Sequence, residues 1–198
     1  MAWGIPAVEF NRIEAPPKLT DDDRRDGFIG VILSYGFGDD GCGNADSVLS
    51  GRLAWEYTCK RKRGRTWQCE YVHFDKKDHF RLRPGAPPRP KSFYYLKFQP
   101  GNKHQVLTVS QFLKMLKEDT GCGPEGIQFL AITHSHFAGM MNARKIPFMA
   151  FADYDVAPHG FNDFYDALQM FCSQGILGLG IGNVDCNYPL FGIPTLRF

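Results

Sequence analysis

An α+β fold is predicted: a mostly antiparallel β-sheet or sandwich, helices packed on it, and an extended N-terminal arm. Three features of the sequence predict it. Short runs of strand length, apolar throughout or alternating, dominate the first half of the chain. Strand-like and helix-like stretches mix in the second half. Proline-rich segments at residues 1–27 and 84–90 exclude regular structure and separate these runs. At 198 residues one globular domain is expected, over 28–198, behind an arm of residues 1–27.

In chain order, the arm carries Trp3, Ile5, Val8 and Phe10, which call for docking, while DDDRRD at 21–26 reads as solvated. Residues 28–35 (FIGVILSY) form an unbroken apolar run, predicting a strand buried on both faces. The Gly/Asp stretch 36–46 is a loop without the spacing of a phosphate-binding motif, and Asp46 or Ser47 caps a short helical turn. Alternation over 53–59 and again over 66–74, with Gly64 between, predicts a β-hairpin that sets Cys59 opposite Cys69. A short strand at 79–83, with Phe80 and Leu82 inward, precedes the proline connector.

Residues 92–98 (SFYYLKF) read as a strand, turned by Pro100 and Gly101 into another at 104–108. Ser110 then caps a helix over 111–119, with Phe112, Leu113 and Leu116 on one stripe. Strands follow at 127–133, 146–152 and 176–181, with helix or loop at 136–144. A helix is expected over 162–173, capped by Asn162 and closed by Gly175, with Phe161, Phe164, Leu168 and Phe171 buried. Gly178 and Gly180 slim the strand after it, so that a neighbouring group approaches its backbone. The tail NYPLFGIPTLRF is extended and too apolar to be left undocked.

Composition excludes several classes. Net charge of +2 is too mild to imply nucleic acid by itself. The six cysteines form no CxxC pair, which argues against a zinc knuckle. No apolar run is long enough to span a membrane, so no membrane partner is expected. The N-terminus lacks the pattern of a signal peptide, which predicts an intracellular protein with free thiols.

Three groups of residues carry candidate chemistry. Lys60, Arg61, Lys62, Arg63 and Arg65 crowd one hairpin tip and form a candidate clamp for phosphate or a nucleotide; the plainer reading is a solvated tip. His134 and His136 sit two apart at a strand end, facing the same way, with Asp153, Asp155 and His159 at the next strand end. That set offers a metal or hydrolase site, in which Cys42 is an alternative nucleophile if a helix start lowers its pKa. The segment ITHSHFAG resembles the first metal motif THxHxDH of metallo-β-lactamase-type hydrolases, but Ala138 stands where the aspartate belongs and Gly139 where the third histidine belongs.

A second likeness concerns the segment 159–172 (HGFNDFYDALQMFC) and the run SFYYLKF followed by VSQFLKMLKE. These resemble cypovirus polyhedrins, the proteins of viral occlusion bodies. The resemblance implies a self-assembling structural protein without enzymatic activity or cofactor. Its partners would be copies of itself, the virion surface or nucleotides, in the host cytoplasm, and its crystals would dissolve in alkali. The residues supply a route, because tyrosine titrates near 10 and cysteine near 8.5. Tyr57, Tyr71, Tyr94, Tyr95, Tyr154, Tyr165 and Tyr188 are the candidate pH-sensing lattice contacts. The self-assembling protein is the favoured expectation, with the metal-dependent or cysteine hydrolase as its alternative.

Overall fold

The computed structural model describes residues 13–83, 89–115, 120–121, 135–157 and 164–197. It is α+β, with mostly antiparallel pairing in two sheets. The first sheet runs β1 (Gly30–Gly36), β4 (Ser92–Gln99), β11 (Thr195–Arg197), β5 (Thr120–Gly121), with every pair antiparallel. The second is built on β8 (Asp166–Ser173). One edge of β8 pairs with β6 (Phe148–Ala150) and, further along, β7 (Tyr154–Val156); the other pairs with β9 (Ile176–Asn183). Around these lie β2 (Thr66–Gln68) on β9, β3 (Phe80–Leu82) on β7 and β10 (Phe191–Gly192) on β6. Four helices accompany them among the described residues: α1 (Asp21–Arg25), α2 (Ser47–Lys62), α3 (Val109–Met115) and α4 (Ser135–Asn142).

The main core lies between the sheets. Ile32, Leu96, Phe98 and Leu196 come from the first sheet, Met149, Leu168, Met170, Leu177 and Leu179 from the second, and Trp55, Phe137 and Met141 from α2 and α4. A smaller core sits on the far side of the second sheet, where Val109 and Phe112 of α3 cover Ala150, Ala152 and Ala167. The tail joins both layers: Phe191 pairs with β6, and Leu196 pairs with β4 three residues after Ile193. Gly101 and Gly192 make that crossing possible, since a Cβ on Gly192 would stand 2.3 Å from the Gly101 carbonyl oxygen.

Several sequence expectations are corrected. The hairpin over 53–74 is instead helix α2 followed by a three-residue strand. Asp46 caps the helix through Leu49 N–H at 2.9 Å, as its position suggested, but the helix runs sixteen residues. Its buried face is Ser47, Ser50, Gly51, Ala54, Trp55 and Thr58, a helical spacing. Small and hydroxyl-bearing residues fill that face, so hydrophobic periodicity does not reveal it. Cys59 and Cys69 are both free thiols rather than hairpin neighbours.

The helix over 162–173 is likewise a strand from Asp166. Residues 166–173 run antiparallel to 176–183, and Gln174 (φ 51°) and Gly175 (φ 76°) make the two-residue left-handed turn that hairpins favour. Leu168 and Met170 face one core while Ala167 faces the other, so both faces are apolar and no period of two survives.

Smaller corrections follow, the first two from local hydrogen bonding that composition does not show. DDDRR is a helix with a reciprocal Thr20–Asp23 cap, and Asp23 is buried against Lys97 (2.9 Å) and Arg197 (3.3 Å). Thr108, not Ser110, caps α3, exchanging bonds with Gln111. The strand expected at 104–108 is absent: residues 102–104 form a tight helical turn, and 105–108 carry no strand. β1 buries only Ile32, Ser34 and Gly36, one face rather than two. In β3, Phe80 is buried while Leu82 is 42% exposed. The expected strand 127–133 lies outside the described residues.

Phe171 lies over Gly178, and a Cβ there would meet its ring at 2.2 Å. Gly178→Ala should therefore destabilise the protein by about 1–3 kcal/mol. Most of that cost should vanish in a Phe171→Ala background. Denaturant midpoints of the four proteins in the cycle test this; equal costs in both backgrounds would place the ring elsewhere.

Candidate functional site

Three of the five residues grouped at the strand ends have side chains outside the described set, namely His134, His136 and His159; the backbone at His136 belongs to α4. Asp153 and Asp155 are described, and both are engaged. Asp153 joins Arg89 at 2.5 Å, with side chains 1% and 3% exposed. Asp155 accepts from Arg83 at 2.5 Å and Arg81 at 3.1 Å. The Arg83 guanidinium also donates to the Ala152 carbonyl, and Arg83 N–H bonds the Asp153 carbonyl at 2.9 Å. Two arginines thus clamp the β6–β7 bend from the segment that follows β3.

Burial pushes the Asp153 carboxyl up to about 6, against the lowering effect of Arg89 and Arg83. His79 is buried just before β3, edge-on to His73 at 5.1 Å, and burial followed by the His73 charge lowers its pKa. Among the described residues no group of three or more His, Cys, Asp or Glu is placed to hold a metal. Cys42 sits exposed in the loop, its N–H on Asp40 at 2.7 Å, four residues before the first capping residue of α2. The helix starts at Asp46 rather than at Cys42, which corrects that expectation.

The tyrosines divide. Tyr94 and Tyr154 are core residues, and Tyr57 and Tyr95 are half-buried, Tyr95 donating to the Glu14 carbonyl at 2.7 Å. Tyr71, Tyr165 and Tyr188 are exposed. Burial raises the Tyr188 phenol. Of the basic tip, Lys60, Arg61, Arg63 and Arg65 are exposed and Lys62 half-buried. The last turn of α2 carries Lys60–Lys62, where cations complement the helix dipole, and Arg63 ends the helix in the left-handed region at φ 48°.

Sequence reasoning missed what lies beside that tip. On the outer face of the second sheet, side chains from four strands form one row across a fifth. Phe191 pairs with Phe148, which stands next to Phe171, one step beyond the Met149–Met170 pair. Phe171 pairs with Gly178, and Gly178 with Trp67. The bare glycine lets the Trp67 and Phe171 rings meet at 5.8 Å across it. The row continues at 6.0 Å to Phe148, 5.3 Å to Phe191 and 5.8 Å to Tyr188. Successive planes are tilted by 45° to 69°, so the rings meet edge to face rather than stacked.

Trp67 is 49% exposed; Phe171, Phe148 and Phe191 are half-buried. At the strand spacing of about 4.8 Å, the row spans roughly 19 Å from Phe191 to Trp67. Helix α3 covers the neighbouring alanines, and Phe191 packs against that same cluster, while Phe148 packs against the main core. Cations stand at both ends: the 60–65 cluster leads directly into Trp67, and Arg144 and Lys145 adjoin Phe148 in a pocket. Between Lys60 and Phe74 the single acidic residue is Glu70.

Comparison with protein-family models, with curated proteins and with solved structures found no match to this chain.

The buried aspartate makes a prediction with a definite sign. An unfolded aspartate ionises near 3.8, while Asp153 in the folded chain keeps its proton to about 6. The folded state binds more protons between these values, so stability should fall as pH rises from about 4 to 6, by up to about 3 kcal/mol. Asp153→Asn, though less stable overall because Arg89 loses its partner, should lack that slope. Denaturant midpoints at pH 4 and 7 read the difference; an unchanged slope in the variant would assign it elsewhere.

Proposed function

We propose that this protein binds single-stranded nucleic acid, with bases stacked along Trp67, Phe171, Phe148 and Phe191 and phosphates held by the flanking cations. The observation that carries the reading is the register-aligned row of partly exposed aromatic rings, with positive charge beside it at each end. Aromatic stacking contributes about 1–3 kcal/mol per base and tolerates any base, because every base has a π-face. Arginine and lysine supply the phosphate attraction that a neutral ligand such as a glycan would not use. The footprint falls at the short end of the roughly 4–16 nucleotides that one small fold covers.

The hydrolase reading has little purchase on the described residues. Its carboxylate, Asp153, is sealed from solvent and paired with Arg89. The lattice reading drew on a helical likeness over 159–172, and the described part of that segment, from Asp166, is a strand. What still favours self-assembly is the exposure of Tyr71, Tyr165 and Tyr188. Among the described residues no helix is long and apolar enough to cross a membrane.

Fluorescence anisotropy with a labelled oligonucleotide of about 12 bases tests the proposal. Binding should weaken with salt, with a log–log slope of about −0.7 for each phosphate held. Trp67→Ala should weaken it roughly 5- to 150-fold without changing that slope. Arg61→Glu with Arg63→Glu should flatten the slope by about 1.4. Absence of binding, or salt-independent binding of a neutral glycan in its place, would overturn the reading.

A further inference from the structure

The row ends beside a pocket, and the pocket has its own chemistry. It holds about 80 Å³ between the end of α4, the lead into β6 and the turn after β4. Phe148 is a wall of the pocket and a member of the row, so the two surfaces are continuous. Arg144, Lys145, Asn102 and Gln105 line it together with Leu190, and none of its nine lining residues is acidic.

Arg144 stands out among these side chains. Helix α4 closes with Arg144 N–H on the Met141 carbonyl at 3.0 Å and Lys145 N–H on the Met140 carbonyl at 2.8 Å. That closure places one residue in the left-handed region, where glycine is the unstrained choice. Here the residue is Arg144, at φ 54°. An arginine held at a strained backbone position, at the mouth of a pocket free of acidic groups, is suited to holding an anion. The pocket also lies where the platform stops, because β10, which bears Phe191, is the edge strand on that side.

We infer that this pocket captures the phosphorylated end of the single strand lying on the aromatic row. The inference rests on the platform reading above and adds direction to it: one terminus of the nucleic acid is seated at Arg144 and Lys145, with Asn102 and Gln105 as amide partners, and the chain runs from there across Phe148 and Phe171 towards Trp67. Such a protein prefers ends to interior stretches.

Competition against a labelled oligonucleotide separates the two claims. The competitors are one sequence carrying a 5′-phosphate, a 3′-phosphate or hydroxyls at both ends, and a circular single strand of the same composition. One phosphorylated end should compete about tenfold better than the hydroxyl form, which equals the circle. Arg144→Gly removes the cation while relaxing the backbone, so loss of folding is not the expected consequence. In that variant the phosphate preference should disappear, while the hydroxyl strand and the circle weaken equally through the loss of one cation. Equal competition by all four strands, or a preference that survives Arg144→Gly, overturns end capture and leaves the platform standing. Failure of every strand to bind overturns both.

Discussion

The register between β8 and β9 is the constraint on which the second sheet depends. Eight residue pairs, from Asp166–Asn183 to Ser173–Ile176, are set by a two-residue turn in which both residues are left-handed. The side-chain period of a strand is two, so a slip of one residue would exchange the faces. Met170 and Leu179 would leave the core, and Phe171 would enter it. The same register brings Phe171 over Gly178, the position at which β9 has room for a ring. Packing on one face and the aromatic row on the other are thus consequences of one pairing.

Around that hairpin the molecule is closed by polar contacts as well as by its core. Asp23 ties the arm to β4 and β11, and the Arg89–Asp153 and Arg83–Asp155 pairs fix the β6–β7 bend. Breaking a buried pair by removing one partner costs about 3–5 kcal/mol, because the other charge is left uncompensated. These aspartates therefore act on the shape of the sheet. The chemistry offered to a ligand comes from the opposite kind of surface, partly exposed rings and exposed cations.

Strands β1, β4 and β9 were legible because apolar or alternating runs of the right length stood between turn residues. Helix α2 was not, since its buried face is Ser47, Ser50, Gly51, Ala54 and Thr58 around the single large Trp55. Strand β8 was misread as a helix because burial on both faces erases the period of two, and Phe164, Leu168 and Phe171 happen to fall at helical spacing. The site was partly visible. The basic run at 60–65 is evident in the sequence, and Gly178 and Gly180 signalled a close approach to their strand; the approaching groups are Phe171 and Trp67. The row itself was not readable, because it joins residues 67, 148, 171 and 191, which only the pairing of five strands brings abreast.

The central claim is that this aromatic row is a surface for bases. Ultraviolet crosslinking of a bound oligonucleotide containing photoreactive bases, followed by peptide mapping, tests it most directly. The account predicts adducts on Trp67, Phe171 and Phe148, suppressed by unlabelled single strands and by high salt. Adducts confined to the 60–65 cluster, with none on the rings, would contradict it.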